Sequence, residues 1–260
     1  MNVIRTLTVI SLGIIVSSSL SISNDKRLIF EEDFTSNILD ERHWNYELGD
    51  GCPTLCGWGN KEYQSYTKEN VSVRNNQLVI TASEQNGAYF SGRITTKDKM
   101  EFQYGTVEVR AKLPTGMGVW PAIWMLGHNI DDIYWPSCGE IDIMEYVGRM
   151  PNKIHTTLHT KDSYGVSKNT QITTIEDIEE GFHVYKLDWS AERIQFFIDN
   201  QPVYTFAPEN KTPDIWPFDK PFYLIINLAV GGHFGGFEVD NSIFPHEFII
   251  DYIKVYEQLN

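Results

Sequence analysis

Cysteine, positive charge and long apolar runs are all scarce in this chain of 260 residues. Its three cysteines, Cys52, Cys56 and Cys138, are too few for a fold stapled by disulfides. With 21 Lys and Arg against 35 Asp and Glu, the formal net charge is −14. Nucleic acid and anionic lipid bind through Lys and Arg that neutralise phosphate, so this charge balance argues against both as partners. The apolar stretch 7–20 falls short of the about 20 residues that a membrane span needs, and it stops before Asn24-Asp-Lys-Arg27. Arg5 precedes that stretch and small residues follow it, which is the pattern of a cleaved signal peptide over 1–23. The expectation is a secreted monomer, not held at a membrane once the leader is removed, with a single domain over 24–260 and no Pro-rich or Ser-rich linker inside it.

Helical periodicity is scarce too. Period-two alternation between turn residues recurs instead, at 71–73, 77–82, 106–113, 140–147, 154–160, 182–189, 194–198, 202–206, 223–230 and 248–256. Asp199-Asn-Gln201 separates two of these runs and reads as a hairpin turn. Many short strands at such spacing predict an all-β fold of two packed sheets, with one short helix expected at 174–181. Aromatic residues make up 13% of the chain and include 7 Trp, which suits a neutral ligand with flat apolar faces and equally suits core filling. Cys52 and Cys56 share one loop and can pair in an oxidising compartment or remain free thiols; Cys138 has no partner in either case.

The densest chemistry lies in Cys138-Gly-Glu-Ile-Asp-Ile-Met-Glu-Tyr-Val147. In a regular strand Glu140 and Asp142 share one face, and Glu145 points to the other. One extra residue bulged at Ile143 or Met144 returns Glu145 to the acidic face, and such bulges gather beside active sites. Crowded carboxyls raise one another's pKa, so one can hold a proton as acid while its neighbour stays anionic as nucleophile. Glu140 is assigned as nucleophile, Glu145 as acid/base, and Asp142 as the group that tunes them. A solvated acidic face over an apolar one is the ordinary alternative for such a strand.

The same stretch resembles glycoside hydrolase family 16, in particular its laminarinase-like endo-β-1,3-glucanases. Gly57-Trp-Gly-Asn-Lys-Glu-Tyr-Gln64, Ser91-Gly-Arg-Ile-Thr95, Gly118-Val-Trp-Pro-Ala-Ile-Trp-Met-Leu126, Trp135-Pro-Ser-Cys-Gly139 and Asn227-Leu-Ala-Val-Gly-Gly232 look like family segments in family order. The resemblance implies a β-jelly-roll with a concave groove and retaining hydrolysis of β-1,3-glucan. Sibling enzymes for mixed-linkage glucan or other polysaccharides, transglycosylases and non-cutting glucan lectins remain open. It further implies that Trp58, Asn60, Arg93, Trp120 and Trp124 meet the sugar chain, although core packing also suits the two tryptophans of the 118–126 segment. His155 would sit near Glu145 if the strands 140–147 and 154–160 pair through the intervening turn. The resemblance also implies a structural calcium at Glu32, Asn76 and Asp251, the first two through main-chain carbonyls. Gly231-Gly-His-Phe-Gly235 departs from the Asn-Trp often found after that glycine pair, so no sugar contact is carried over for His233 or Phe234.

Overall fold

The computed structural model describes residues 26–259; the leader assigned to 1–23 lies outside them. Two sheets pack face to face. The ten-stranded sheet runs Gln201–Phe206, Ile194–Ile198, His183–Trp189, Gly105–Lys112, His246–Gln258, Gln77–Gln85, Ala88–Ser91 and Gln64–Tyr66, with Lys26–Glu32 on the long C-terminal strand and Val71–Arg74 on Gln77–Gln85. The eight-stranded sheet runs Thr170–Thr174, Lys153–His159, Glu140–Tyr146, Val119–Gly127, Phe222–Val230, Arg93–Thr95 and Asn45–Tyr46, with Glu101–Phe102 beside Phe222–Val230. All pairings are antiparallel except that of Gln64–Tyr66 with Ala88–Ser91.

The alternation read in the sequence is the inside-outside alternation of these strands. In His183–Trp189 every second residue is buried, and its neighbours Ile194–Ile198 repeat the pattern. Phe222–Val230 breaks it, because all nine residues are buried. Leu224, Ile226, Leu228 and Val230 enter the sandwich core, whereas Asn227 and Ala229 belong to the opposite face. That second face is covered as well, and the covering residues form the site described below.

Each of the ten alternating runs contains a strand. The hairpin forms with Asp199 and Asn200 both in the left-handed region, at φ 48° and 65°, the requirement of the two-residue turn that follows strand twist. Short strands such as Asn45–Tyr46 and Glu101–Phe102 escaped notice because two residues carry no periodicity. The helix expected at 174–181 is a correction. Thr174 closes an edge strand, and only the single-turn bonds Ile178 N to Ile175 O and Glu180 N to Asp177 O follow, with Ile178 driven into the core. One anchored apolar side chain and β-branched residues on the N-terminal side favour strand and turn over a helix.

Candidate active site

The acidic strand Glu140–Tyr146 lies between Val119–Gly127 and Lys153–His159. Against the first neighbour Glu145 faces Ala122, Met144 faces Ile123, and Asp142 faces Trp124, which leaves Ile143 without a partner. Against the second, Glu145 faces His155 and Asp142 faces Thr157, so two residues oppose one. This is a bulge at the position the sequence demanded. Ile143 and Met144 both enter the core, and Glu145 returns to the face of Glu140 and Asp142. Gly139 introduces the strand at φ +80°, where an added Cβ would stand 2.9 Å from Pro217 and 3.0 Å from Phe222. Glycine is required there by both conformation and space.

Burial dominates the electrostatics of the three acids. Asp142 is almost fully buried, and desolvation and the charges of Glu140 and Glu145 push its pKa well above the usual carboxylate range. It therefore keeps its proton and donates to Glu140, and this hydrogen bond opposes the rise caused by burial. Glu140 is raised to about 7 by burial, against the lowering influence of the Asp142 and Trp135 side chains. Glu145 is raised to about 8 by burial and by Glu140, against the pull of the Trp120 indole N–H that donates to its Oε1 at 3.0 Å. Burial thus raises both glutamates, and a charge on Glu140 further favours the protonated form of Glu145.

His155 and His159 flank the acids on Lys153–His159. His155 is buried, lies edge-on to Phe234 at 4.9 Å, and has its pKa lowered to about 4 by burial and by Arg149 and Lys153. The His159 Nε2 approaches Asp142 at 3.4 Å and Glu140 at 3.7 Å, and burial lowers its pKa to about 4 as well. Both rings are neutral near pH 7, so the approach of His159 to the carboxyls is a contact of a neutral ring.

The remaining sequence candidates collect on the Arg93 side. Trp124 donates its indole N–H to Asn227 at 2.7 Å. The Arg93 guanidinium lies 4.3 Å from the Trp58 ring and 4.9 Å from the Trp124 ring, and its Nε bonds Glu47. Arg93 is thus less free than a surface donor: it fills the gap between two tryptophans and is almost wholly buried. Trp58 is placed by a short turn at Cys56–Gly59, directly after the disulfide that joins Cys52 to Cys56, and its own N–H bonds Gly49 O at 3.2 Å. The Asn60 amide donates to Glu62 at 3.2 Å. Cys138 is free and buried.

Trp120 lies outside the main core. It forms a small cluster with Val147 and Ala229, against which Met150 and Phe234 pack, and its ring meets Phe234 edge-on at 5.3 Å. Phe234, given no role from the sequence, walls in Trp120 and His155, while His233 is exposed. Sequence reasoning also passed over Glu62, Tyr66, Trp135, His159 and Asn227. Several stand inside the quoted motifs, yet their partners are distant in the chain, and no local pattern pairs Tyr66 with Asn227.

Of the three positions assigned to calcium, two have carboxylates that are already engaged. Asp251 is ion-paired with Arg110 and accepts from Gln77, the Glu32 carboxylate accepts the Phe34 N–H at 3.2 Å, and Asn76 is an exposed turn residue at φ 56°. An ion there would rest on Asp251, after release of Arg110, and on main-chain carbonyls.

Residues 59–253 match the sequence profile described as Glycosyl hydrolases family 16. The chain is 40% identical over 247 residues to the Beta-glucanase of Rhodothermus marinus, an alignment covering 88% of this chain and 84% of that protein. Among solved structures, the laminarinase from Flavobacterium sp. UMI-01 is 57% identical with a TM-score of 0.88, covering 89% of this chain and all of that one. The laminarinase catalytic domain from Thermotoga maritima MSB8 is 37% identical with a TM-score of 0.85, over 91% of this chain and all of that one. With the two-sheet fold and the bulged acidic strand, these matches establish that the chain belongs to glycoside hydrolase family 16.

Proposed function

We propose that this protein hydrolyses internal β-1,3 linkages of β-glucan by double displacement with retention. The observation that carries the reading is the bulge, which sets Glu140, Asp142 and Glu145 on one face. Glu140, as the anion, attacks the anomeric carbon while protonated Glu145 gives its proton to the departing glycosidic oxygen, giving a glycosyl ester on Glu140. Loss of the Glu140 charge removes part of what held the Glu145 proton, and that proton has just left with the alcohol. Glu145 then takes a proton from water as the water cleaves the ester, and both carboxyls return to their starting states. The Asp142 proton, donated to Glu140, stabilises its anion before attack and after release. Trp58, Asn60, Arg93, Trp124 and His155 surround the sugar chain, as family relatedness supports. Glu140→Gln should abolish release of reducing sugar from laminarin, a loss of at least about three orders of magnitude, while binding of laminarin persists. Equal release by wild type and variant would refute the assignment, and product sizes on mixed-linkage glucan, agarose and carrageenan would reveal a different substrate or transfer to sugar.

Secretion as a monomer follows the leader expected at 1–23; no helix among the described residues is long and apolar enough to cross a membrane. Calcium at Asp251, with the carbonyls of Glu32 and Asn76, is carried forward on the same footing. A melting temperature raised by calcium, restored by chelator and indifferent to calcium in Asp251→Ala supports that site; indifference of the wild type removes it.

A further inference from the structure

The segment that leads into Gln64–Tyr66 holds a further carboxyl that the proposed chemistry does not use. Glu62 is partly exposed, and its carboxylate accepts from the Asn60 amide at 3.2 Å, the Gln64 amide at 2.7 Å and the Tyr66 hydroxyl at 3.3 Å. Its own segment is pinned to the end of Phe222–Val230. Tyr63 N bonds Val230 O at 2.9 Å, and the Gln64 Oε1 accepts Val230 N at 2.8 Å. From Glu62 the bonds continue inward: the Asn227 amide donates to the Tyr66 hydroxyl at 3.1 Å, and Trp124 donates to Asn227 at 2.7 Å.

The direction of every bond in this chain is forced. An indole N–H can only donate, so Asn227 must present its oxygen to Trp124 and its amide N–H to Tyr66. The Tyr66 hydroxyl, having accepted, donates onward to an acceptor, here the Glu62 carboxylate. A carboxylate meets that need while also accepting from Asn60 and Gln64. A glutamine would turn an NH2 group toward at least one of these donors and cost that donor its bond.

We propose that Glu62 is the positioning residue of the substrate wall on the Arg93 side: it fixes the Asn60 amide directly and the Trp124 indole through Tyr66 and Asn227. The wall so held includes Trp58, which meets the Tyr66 ring at 5.3 Å and sandwiches Arg93 against Trp124. The bonds of Glu62 go to Asn60, Gln64 and Tyr66, and only its charge reaches Glu145, where it helps to raise that carboxyl's pKa, so it acts chiefly on how the polysaccharide is held.

This inference rests on the glucanase reading, and the test separates the two. KM and kcat on laminarin are measured for wild type, Glu62→Gln, Tyr66→Phe and the double variant, with near-UV circular dichroism to verify folding. Glu62→Gln is expected to raise KM about tenfold or more with kcat within about threefold. Tyr66→Phe, which cuts only the Trp124 branch, should raise KM by less. The double variant should be no worse than Glu62→Gln, because both changes break one series of bonds. Unchanged KM in a folded Glu62→Gln, a fall confined to kcat, or additive effects of the two changes would overturn the proposal. Should Glu62→Gln fail to fold, Tyr66→Phe decides: a raised KM sustains the proposal and an unchanged one overturns it. If the wild type itself leaves laminarin intact, the glucanase reading fails, and dissociation constants for laminarin with the same variants decide this proposal by the same criteria.

Discussion

The single bond from the Trp120 indole to Glu145 exemplifies how one neighbour tunes an acid that burial has displaced. Desolvation and Glu140 raise the Glu145 pKa to about 8, and the Trp120 N–H opposes that rise because it stabilises the anion. Trp120→Phe removes that donor and keeps an aromatic ring. A hydrogen bond to a charged group is worth about 1.5–3 kcal/mol, and each pKa unit is about 1.4 kcal/mol, so the Glu145 pKa should rise by about one to two units. The active form needs Glu145 protonated, so the basic limb of the kcat/KM profile should move to higher pH by that amount. The acid limb, set by ionisation of Glu140, should stay. A basic limb that stays or moves down would contradict the assignment of Glu145 as proton donor. Little of this was legible from the chain alone. Spacing put Trp120 and Trp124 on one face, but Trp120 bonds Glu145 while Trp124 bonds Asn227, a difference set by which strand lies opposite each.

At the scale of one element, parity decides whether Glu145 reaches the groove. Ile143 and Met144 enter the core together, so the strand spends two residues where its neighbours spend one. Deleting Met144 makes the strand regular, and a period of two then still places the second glutamate on the face of Glu140. The deletion should retain activity within about two orders of magnitude while stability falls by about 2–5 kcal/mol, the cost of emptying a buried Met position. Inserting one alanine between Met144 and Glu145 turns the glutamate into the core if the bulge is kept, or moves it about 7 Å farther along the acidic face if the strand becomes regular, and either displacement should abolish hydrolysis of laminarin. Activity surviving the insertion would refute the parity argument. The need for a bulge was legible because Glu140 and Asp142 on one face contradict Glu145 on the other. Its exact form was not, because unpaired Ile143 is defined by the strand Val119–Gly127, which lies outside the acidic motif.

The whole molecule carries the cost of keeping three acids in a dry groove. Glu140 and Glu145 have folded pKa values of about 7 and about 8, above the ordinary 4.5, and Asp142 is higher than its ordinary value as well. A carboxyl whose pKa is raised by folding binds its proton more tightly in the folded state, so its contribution is fully present below about pH 4.5 and is lost as pH climbs through the folded value. Thermal stability should therefore decline between about pH 5 and 8 from this cluster, and Glu145→Gln should melt above the wild type at pH 8.5 but level with it at pH 4. Each kcal/mol of difference appears as about 2–4 °C for a domain of this size. An advantage that shrinks as pH rises would show that burial of Glu145 is not what limits stability. The sequence by itself determined the strand-rich class, the acidic motif and the requirement for a correction of phase, because alternation and turn chemistry are local and survive in any arrangement of the strands. Only the tertiary structure decided which strand stands beside which, and with that the fully covered Phe222–Val230, the clamp of Arg93 between Trp58 and Trp124, and the bonds that end on Glu62. Those features depend on residues brought together across sheet order and loop closure, and hydrogen-bond partners distant in the chain leave no periodic trace in it.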